Sequence, residues 1–515
     1  MKEARRFNGK SERWRTSTQI FFLLIIVGSV VYAYLGHAHR YEVPKGNSSS
    51  EPLTVSLKLK SLVKQGTGGK PLMQELKLTS EDVEEGRRAF TNMRVEQNGD
   101  DENVKELWTT NPKYSTDNPL DYTFALHAQP IELKRMKHRD PQFVESYLDF
   151  ALYNPEMASR VNLEWEDEIV LAPNVSDKDT VVNLALMSSN AYVRLPHTGD
   201  WRNVSEPWNS TDGVGHGWDS DGIRGHIFAN EESNVVVIAI KGTSARGLPG
   251  SGEDETTAND KLNDNLLFSC CCARVSYLWT TVCDCFVKSY TCDETCLEHE
   301  LRRKDRYFSG VLKVYKHVLK KYPDANVWVT GHSLGGALAS LLGRTFGLPV
   351  VTFEAPPELL PSKRLHLPSP PGLPDYLEGV WHFGHTADPI FVGTCNGASS
   401  SCSIAGYAFE TSCHSGRVCV YDAVNDLGWH VNMLNHRIHT VIDNVLNGYE
   451  DVAKCEKPAP CIDCYNWNFI RDRDSKPSKT ITSTITSSTL SATTTPPETS
   501  SCVGRNWYGK CTMHG

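Results

Sequence analysis

Gly331-His332-Ser333-Leu334-Gly335 is the stretch whose residue types and spacing are best suited to chemistry. A β-prone run, Val327-Trp328-Val329-Thr330, leads into it, and a small-residue helical pattern from Ala337 to Phe346 follows. That context is the one a nucleophile elbow requires: a serine on a sharp strand-to-helix turn, with flanking glycines that admit neighbouring backbone. The helix behind Ser333 offers free N–H groups to an oxyanion. A bare G-x-S-x-G also fits an ordinary glycine-rich turn, and the strand before and helix after argue against that alternative.

A serine hydroxyl needs a base to take its proton, and the base needs a carboxylate to fix its tautomer. Downstream, Val380-Trp381-His382-Phe383 reads as a strand, and Gly384-His385-Thr386-Ala387-Asp388-Pro389 follows. An Asp just past a strand end, in a loop stiffened by proline, suits a triad acid, although a plain turn residue would look the same. His430, His436 and His439 come next, ahead of a helical pattern that runs to about Tyr449. Serine, then aspartate, then histidine is the chain order of α/β-hydrolases. Upstream, the apolar run Val235–Ile240 ends at Lys241-Gly242-Thr243-Ser244, a turn at the carboxyl end of a strand, where α/β sheets place their ligands. Backbone N–H groups of Thr243 and Leu334 would complete an oxyanion hole, each donor worth about 10²–10³ in rate.

The elements that must hold these residues follow from the rest of the chain. Its 515 residues suffice for two to three domains. A net charge of −9 gives no support to nucleic-acid binding. Residues 1–15 are basic, and 16–36 carry no charge, about the length needed to cross a hydrocarbon core. The charge asymmetry predicts a single-pass type II signal anchor with the basic side cytosolic, against a cleaved signal peptide as alternative. Four sequons, at Asn47, Asn174, Asn203 and Asn209, all follow this segment and fit glycosylation in a secretory lumen. Residues 37–86 read as a polar lumenal stalk, and 87–175 as an N-terminal extension packing on a catalytic domain that spans 176–450. Ser176-x-x-Asp179 offers a capping box at its start, and Glu298 to Tyr322 reads as one amphipathic helix.

All 16 cysteines lie between Cys270 and Cys511. An even count in a lumenal chain predicts disulfides; Cys461-x-x-Cys464 has a zinc-like spacing but no matching second pair, so no metal or other cofactor is expected. Residues 259–296 hold seven of the cysteines together with Leu262, Leu266, Leu267, Phe268, Leu278, Trp279 and Phe286. That mixture fits either a disulfide-held structural insertion or a lid that shows its apolar side at a lipid surface. A Cys-containing segment, 451–474, precedes a Ser/Thr-rich tail, 475–515, whose composition suits O-glycosylation and which closes on a small Cys502–Cys511 loop.

With Asn190-Ala191-Tyr192, Val237-Ile-Ala-Ile-Lys-Gly-Thr-Ser244, Asn263-Asp264-Asn265-Leu266, Gly331-His-Ser-Leu-Gly-Gly-Ala-Leu-Ala339, Val351-Thr-Phe-Glu-Ala-Pro356 and His385-Thr-Ala-Asp-Pro-Ile390 in this order, the chain resembles the class 3 lipases over about residues 176–450. The resemblance implies an α/β-hydrolase domain and ester hydrolysis without a metal. It implies Ser333 as nucleophile, Asp388 as acid, and Thr243 with Leu334 as oxyanion hole. The family's histidine starts a final helix with an aromatic three residues on; His436 takes that position, but His439 stands where the aromatic is usual, so His439 and then His430 remain alternatives. Lys241 where arginine is usual, Ala355 where Gly-Pro is common, and the insertion at 259–296 depart from the secreted members. The anchor, insertion and tail resemble the vacuolar members, which implies membrane phospholipids as substrate and a route through endoplasmic reticulum and multivesicular bodies. A lumenal esterase or thioesterase on soluble esters, or a non-catalytic glycosylated surface protein, are the other readings.

Overall fold

The computed structural model describes residues 53–66, 73–84, 123–192, 222–230, 232, 234–243, 257–274, 281–397, 399–471, 502–505 and 511–514. The segment 16–36 and the sequons at Asn47, Asn203 and Asn209 lie outside them. Among the described residues no helix is long and apolar enough to cross a membrane.

An 11-stranded sheet organises the rest. In chain order its strands are β1 (Leu53–Gln65), β2 (Met73–Lys77), β3 (Phe124–Met136), β4 (Trp165–Pro173), β5 (Ile223–Ala229), β6 (Val235–Ile240), β7 (Asn326–His332), β8 (Val350–Phe353), β9 (Val380–His385), β10 (Arg417–Tyr421) and β11 (Cys455–Glu456). In space the order is β11-β10-β9-β8-β7-β6-β5-β1-β3-β4, with β2 pairing β1. From β6 to β10 every pairing is parallel, and on both flanks the pairings turn antiparallel.

Strand β6 shows why the centre is parallel and double-faced. All six of its residues are buried; Val236, Ile238 and Ile240 join one core and Val235, Val237 and Ala239 the other. A strand covered on both faces has no polar side to alternate with, so its sequence is a continuous apolar run. Helices Tyr307–Lys321 and Leu334–Phe346 fill the first core, and helix Lys178–Asn190 with the helical segment Val441–Leu446 fills the second. This is the α/β-hydrolase class of architecture expected from the sequence, and it carries the expected disulfides.

The N-terminal boundary is different from the expectation. Residues 37–86 read as a stalk, yet β1 lies inside the sheet between β5 and β3, with Val55, Leu57, Leu59, Leu62 and Val63 buried. Lys58 and Lys60 alternate with Leu57 and Leu59, and this two-residue period within a polar stretch is a strand signal that composition averages away. Residues 87–175 likewise contribute β3 and β4 to the same sheet. The helix starting near Ser176 is capped by Asp177, whose carboxylate accepts from the Thr180 N–H at 2.8 Å, one residue later than the predicted box. The single helix expected over 298–322 is two, Glu294–Leu301 and Tyr307–Lys321.

The described part of 259–296 is core rather than cover. Leu266, Leu267 and Phe268 are buried, as are Cys271, Cys272, Cys283, Cys285 and Cys292. Three disulfides close it on itself (Cys271–Cys292, Cys272–Cys283, Cys285–Cys296), and Cys270–Cys464 ties it to the C-terminal segment. Cys461 pairs with Cys413, so the C-x-x-C spacing belongs to two disulfides and not to a metal. Leu278 and Trp279 lie outside the described residues. Residues 502–505 and 511–514 form an antiparallel pair.

Candidate active site

Strand β7 ends at His332, and helix Leu334–Phe346 begins immediately after Ser333. To make that reversal Ser333 takes φ 55° and ψ −132°, a region side chains avoid and functional sites tolerate. Two glycines make room. A Cβ on Gly331 would stand 2.5 Å from the Gly335 carbonyl carbon, and one on Gly335 would stand 2.2 Å from the Ile240 oxygen. The turn after β6 is therefore pressed against the first turn of the elbow helix, bringing Thr243 beside the helix N-terminus. The Leu334 N–H is among the four N-terminal donors that a helix leaves unpaired.

His436 closes the set. Its Nδ1–H donates to Asp388 Oδ2 at 2.6 Å, and Ser333 Oγ–H donates to its Nε2 at 2.8 Å. Asp388 is fully buried just past β9, and its Oδ1 accepts the Ile390 N–H at 2.9 Å. Burial alone would raise its pKa; the His436 charge and hydrogen bond outweigh that and hold it at about 2. His439 and His430 are not in the chain of bonds. His439 Nδ1 is buried with no partner among the described residues, and burial lowers its pKa to about 4. His430 is exposed.

Around the three lie residues that the sequence reading did not assign. His332 Nε2–H donates to the His436 carbonyl at 2.7 Å, while Tyr192 O–H donates to its Nδ1 at 2.8 Å. Burial first, then the neighbouring His436 charge, lowers the His332 pKa to about 3, so the ring is neutral. His385 Nε2–H donates to the Asn435 carbonyl at 3.0 Å. Two neutral histidines, one beside Ser333 and one near Asp388 in sequence, thus hold consecutive peptide carbonyls of the segment that delivers His436. Glu354, at the end of β8, is fully buried and has a raised pKa from burial and from the Asp388 charge, so it keeps its proton and donates to Asp388. Its Oε1 finds no donor among the described residues, as befits an oxygen bearing its own hydrogen.

The loop carrying Lys241 and Thr243 is pinned from helix Thr257–Phe268. Thr243 Oγ1–H donates to Asp264 Oδ2 at 2.6 Å, and Lys241 Nζ lies 3.4 Å from Asp260 Oδ2 in a buried pair. Tyr307 O–H donates to Asp260 Oδ1 at 2.6 Å. Asp260 and Asp264 are four apart, one turn of a single helix face, and that spacing within 259–296 was the available signal.

The family profile described as Lipase (class 3) matches residues 253–347. "Putative lipase ATG15" of Saccharomyces cerevisiae strain YJM789 is 63% identical over 468 residues, covering 89% of this chain and 89% of that protein. The chain belongs to the class 3 lipases. The protein of that name from Vanderwaltozyma polyspora is 53% identical over 551 residues, covering 99% of this chain and 97% of its own. A triacylglycerol lipase of Penicillium expansum overlays at 14% identity with a TM-score of 0.23, covering 48% of this chain and 81% of that one. As a class 3 lipase the protein is an ester hydrolase. Asn174 is half-buried in the turn after β4, where its side chain accepts the Ser176 N–H.

Proposed function

We propose that this lipase is a serine hydrolase in which Ser333 attacks the ester carbonyl, His436 takes its proton, and Asp388 holds the imidazole in the productive tautomer. The observation that carries the reading is the unbroken chain of hydrogen bonds from Ser333 Oγ through His436 to Asp388 Oδ2. The Oγ–C bond forms as the carbonyl oxygen becomes an oxyanion facing the N–H groups of Leu334 and Thr243. His436 then gives its proton to the leaving alcohol, an acyl-enzyme remains, and water attacks it by the same route.

The substrate in this reading is the acyl ester of membrane phospholipids. Leu427, Val431 and Leu434, exposed by 43%, 53% and 42%, precede His436 on one loop and form an apolar margin suited to a lipid surface. The name of its relatives suggests autophagy. With the type II anchor at 16–36 and the sequons, the proposal extends to lysis of autophagic bodies and other vesicles within the vacuole, reached through endoplasmic reticulum and endosome. Hydrolysis of soluble esters is the second reading, favoured by the packing of the described part of 259–296 into the core.

The test uses the full chain beside Ser333→Ala, following fatty-acid release from phospholipid vesicles and hydrolysis of a short soluble ester. Vesicle hydrolysis lost in Ser333→Ala is the expected result. Short-ester hydrolysis without vesicle hydrolysis would move the assignment to the soluble-ester reading, and residual vesicle hydrolysis in Ser333→Ala would overturn the serine mechanism.

A further inference from the structure

Beneath the acid loop lies a second cluster that the hydrolytic chemistry does not use. Glu358, at the start of helix Leu359–Arg364, and His382, in β9, are fully buried, and His414 is 8% exposed. His382 Nε2 stands 3.2 Å from Glu358 Oε1, and His414 Nδ1 stands 3.6 Å from Glu358 Oε2. Glu358 Oε2, His382 Nε2 and His414 Nδ1 are all buried and engage no donor or acceptor outside the cluster among the described residues. Polar atoms buried with only one another to face are costly to bury.

The outer atoms of the cluster are, by contrast, fully engaged. His414 Nε2–H donates to the Phe391 carbonyl at 2.8 Å, so in the neutral ring Nδ1 presents a lone pair. Thr352 Oγ1 lies 2.7 Å from His382 Nδ1. Ser340 Oγ–H donates to Glu358 Oε1 at 2.7 Å, and Ser415 Oγ–H donates to the same oxygen, leaving Oε2 open. Arg344, the nearby cation, is committed to Glu378 at 2.7 Å. In the tautomer in which His382 Nδ1–H donates to Thr352 Oγ1, ring lone pairs and the carboxylate converge, while the far side of each ligand is held by a hydroxyl or carbonyl. Histidines that bind metals have this arrangement.

We propose that Glu358, His382 and His414 bind one divalent transition-metal ion, with zinc the best match to an imidazole-carboxylate set. The ligand atoms lie within 4.8 Å of one another. Two ligands about 2.1 Å from a tetrahedral zinc are about 3.4 Å apart; His382 Nε2 stands 3.2 Å from Oε1 and His414 Nδ1 3.6 Å from Oε2, so the carboxylate spans the two rings and the ion would sit between them. The ion's role is structural. It joins β9, the helix after β8 and the Cys413–Cys461 segment, and through His414 it fixes Phe391, three residues past Asp388. A buried carboxylate–imidazolium cluster without metal is the competing account.

The test is metal analysis of the full chain, purified without chelator, followed by stripping and titration with Zn²⁺ while thermal unfolding is recorded. Expected are one zinc per wild-type chain, a melting temperature raised by Zn²⁺ after stripping, and loss of both in His414→Ala. Thr352→Val removes only the partner of His382 and is expected to fold, with Zn²⁺ affinity weaker by about 10–100-fold. Folded, metal-free wild type whose melting does not respond to Zn²⁺ would overturn the proposal, as would His414→Ala or Thr352→Val binding zinc as tightly as wild type.

Discussion

His332 Nε2–H donates to the carbonyl of His436 at 2.7 Å, so the residue preceding Ser333 holds the backbone of His436. The link spans 104 residues of sequence and crosses from the end of β7 to the loop after β10. It sets the distance that Ser333 Oγ–H must bridge to reach Nε2.

Replacing His332 by alanine should therefore act on the chemical step. We expect kcat to fall by about 10²-fold with KM little changed, the scale of effect that follows from a misplacement of about 1 Å. Steady-state kinetics on a soluble ester checks this. A fall confined to KM would mean that His332 contacts substrate instead.

Between the two histidines at the start of the final helical segment, the geometry makes a sharp distinction. His436→Ala should lower kcat by about 10⁴–10⁶-fold, and Asp388→Asn by about 10⁴-fold. His439→Gln should stay within about threefold of wild type, since His439 touches neither Ser333 nor Asp388. Labelling of Ser333 by a fluorophosphonate should follow the same order.

Glu354 and Asp388 divide one proton between two buried carboxyls, and the sign of the resulting pH dependence can be worked out. A carboxyl whose folded pKa is raised binds its proton more tightly in the native state than in the unfolded chain. Its contribution is full below the unfolded value of 4.5 and is lost as pH rises through the folded pKa. Glu354→Gln imitates the protonated form and removes this term. The variant should remain active and should lose less melting temperature than wild type between pH 5 and neutrality. A steeper loss in the variant would show that Glu354 is ionised in the native protein.

What could be read from the sequence was what rests on local pattern. The elbow, the strand β6, and the Asp388 loop each combine a two- or three-residue signal with the element it must terminate. His436 could be placed only with His439 and His430 beside it, because a helix start does not say which ring turns inward. Strand β1 was missed because its apolar side chains alternate with lysines inside a polar stretch, and its partners lie far along the chain. His332, His385 and Glu354 act through carbonyls or carboxyls that tertiary packing brings to them. Asp260 and Asp264 lie in a segment that reads equally as a disulfide-held insertion or a lid, and the core residues around them make it a brace for Lys241 and Thr243.

On the proposed reading, the exposed Val431 and Leu434 separate membrane action from hydrolysis itself. The loop that carries them is tied to the acid loop, since the Asn432 N–H donates to the Ala387 carbonyl at 3.1 Å and Asn435 Nδ2–H reaches the same oxygen at 3.3 Å. Val431 and Leu434 are exposed, so charge there costs the fold little. Inserting one such side chain into a hydrocarbon surface is worth about 1.5 kcal/mol at the lower end. Val431→Asp combined with Leu434→Asp should thus weaken vesicle binding by about 10²-fold. Hydrolysis of a short soluble ester should stay within about twofold. Vesicle co-sedimentation together with both assays decides the matter: equal loss on both substrates would mean that the loop serves His436 geometry, and no loss on either would place the membrane contact elsewhere on the molecule.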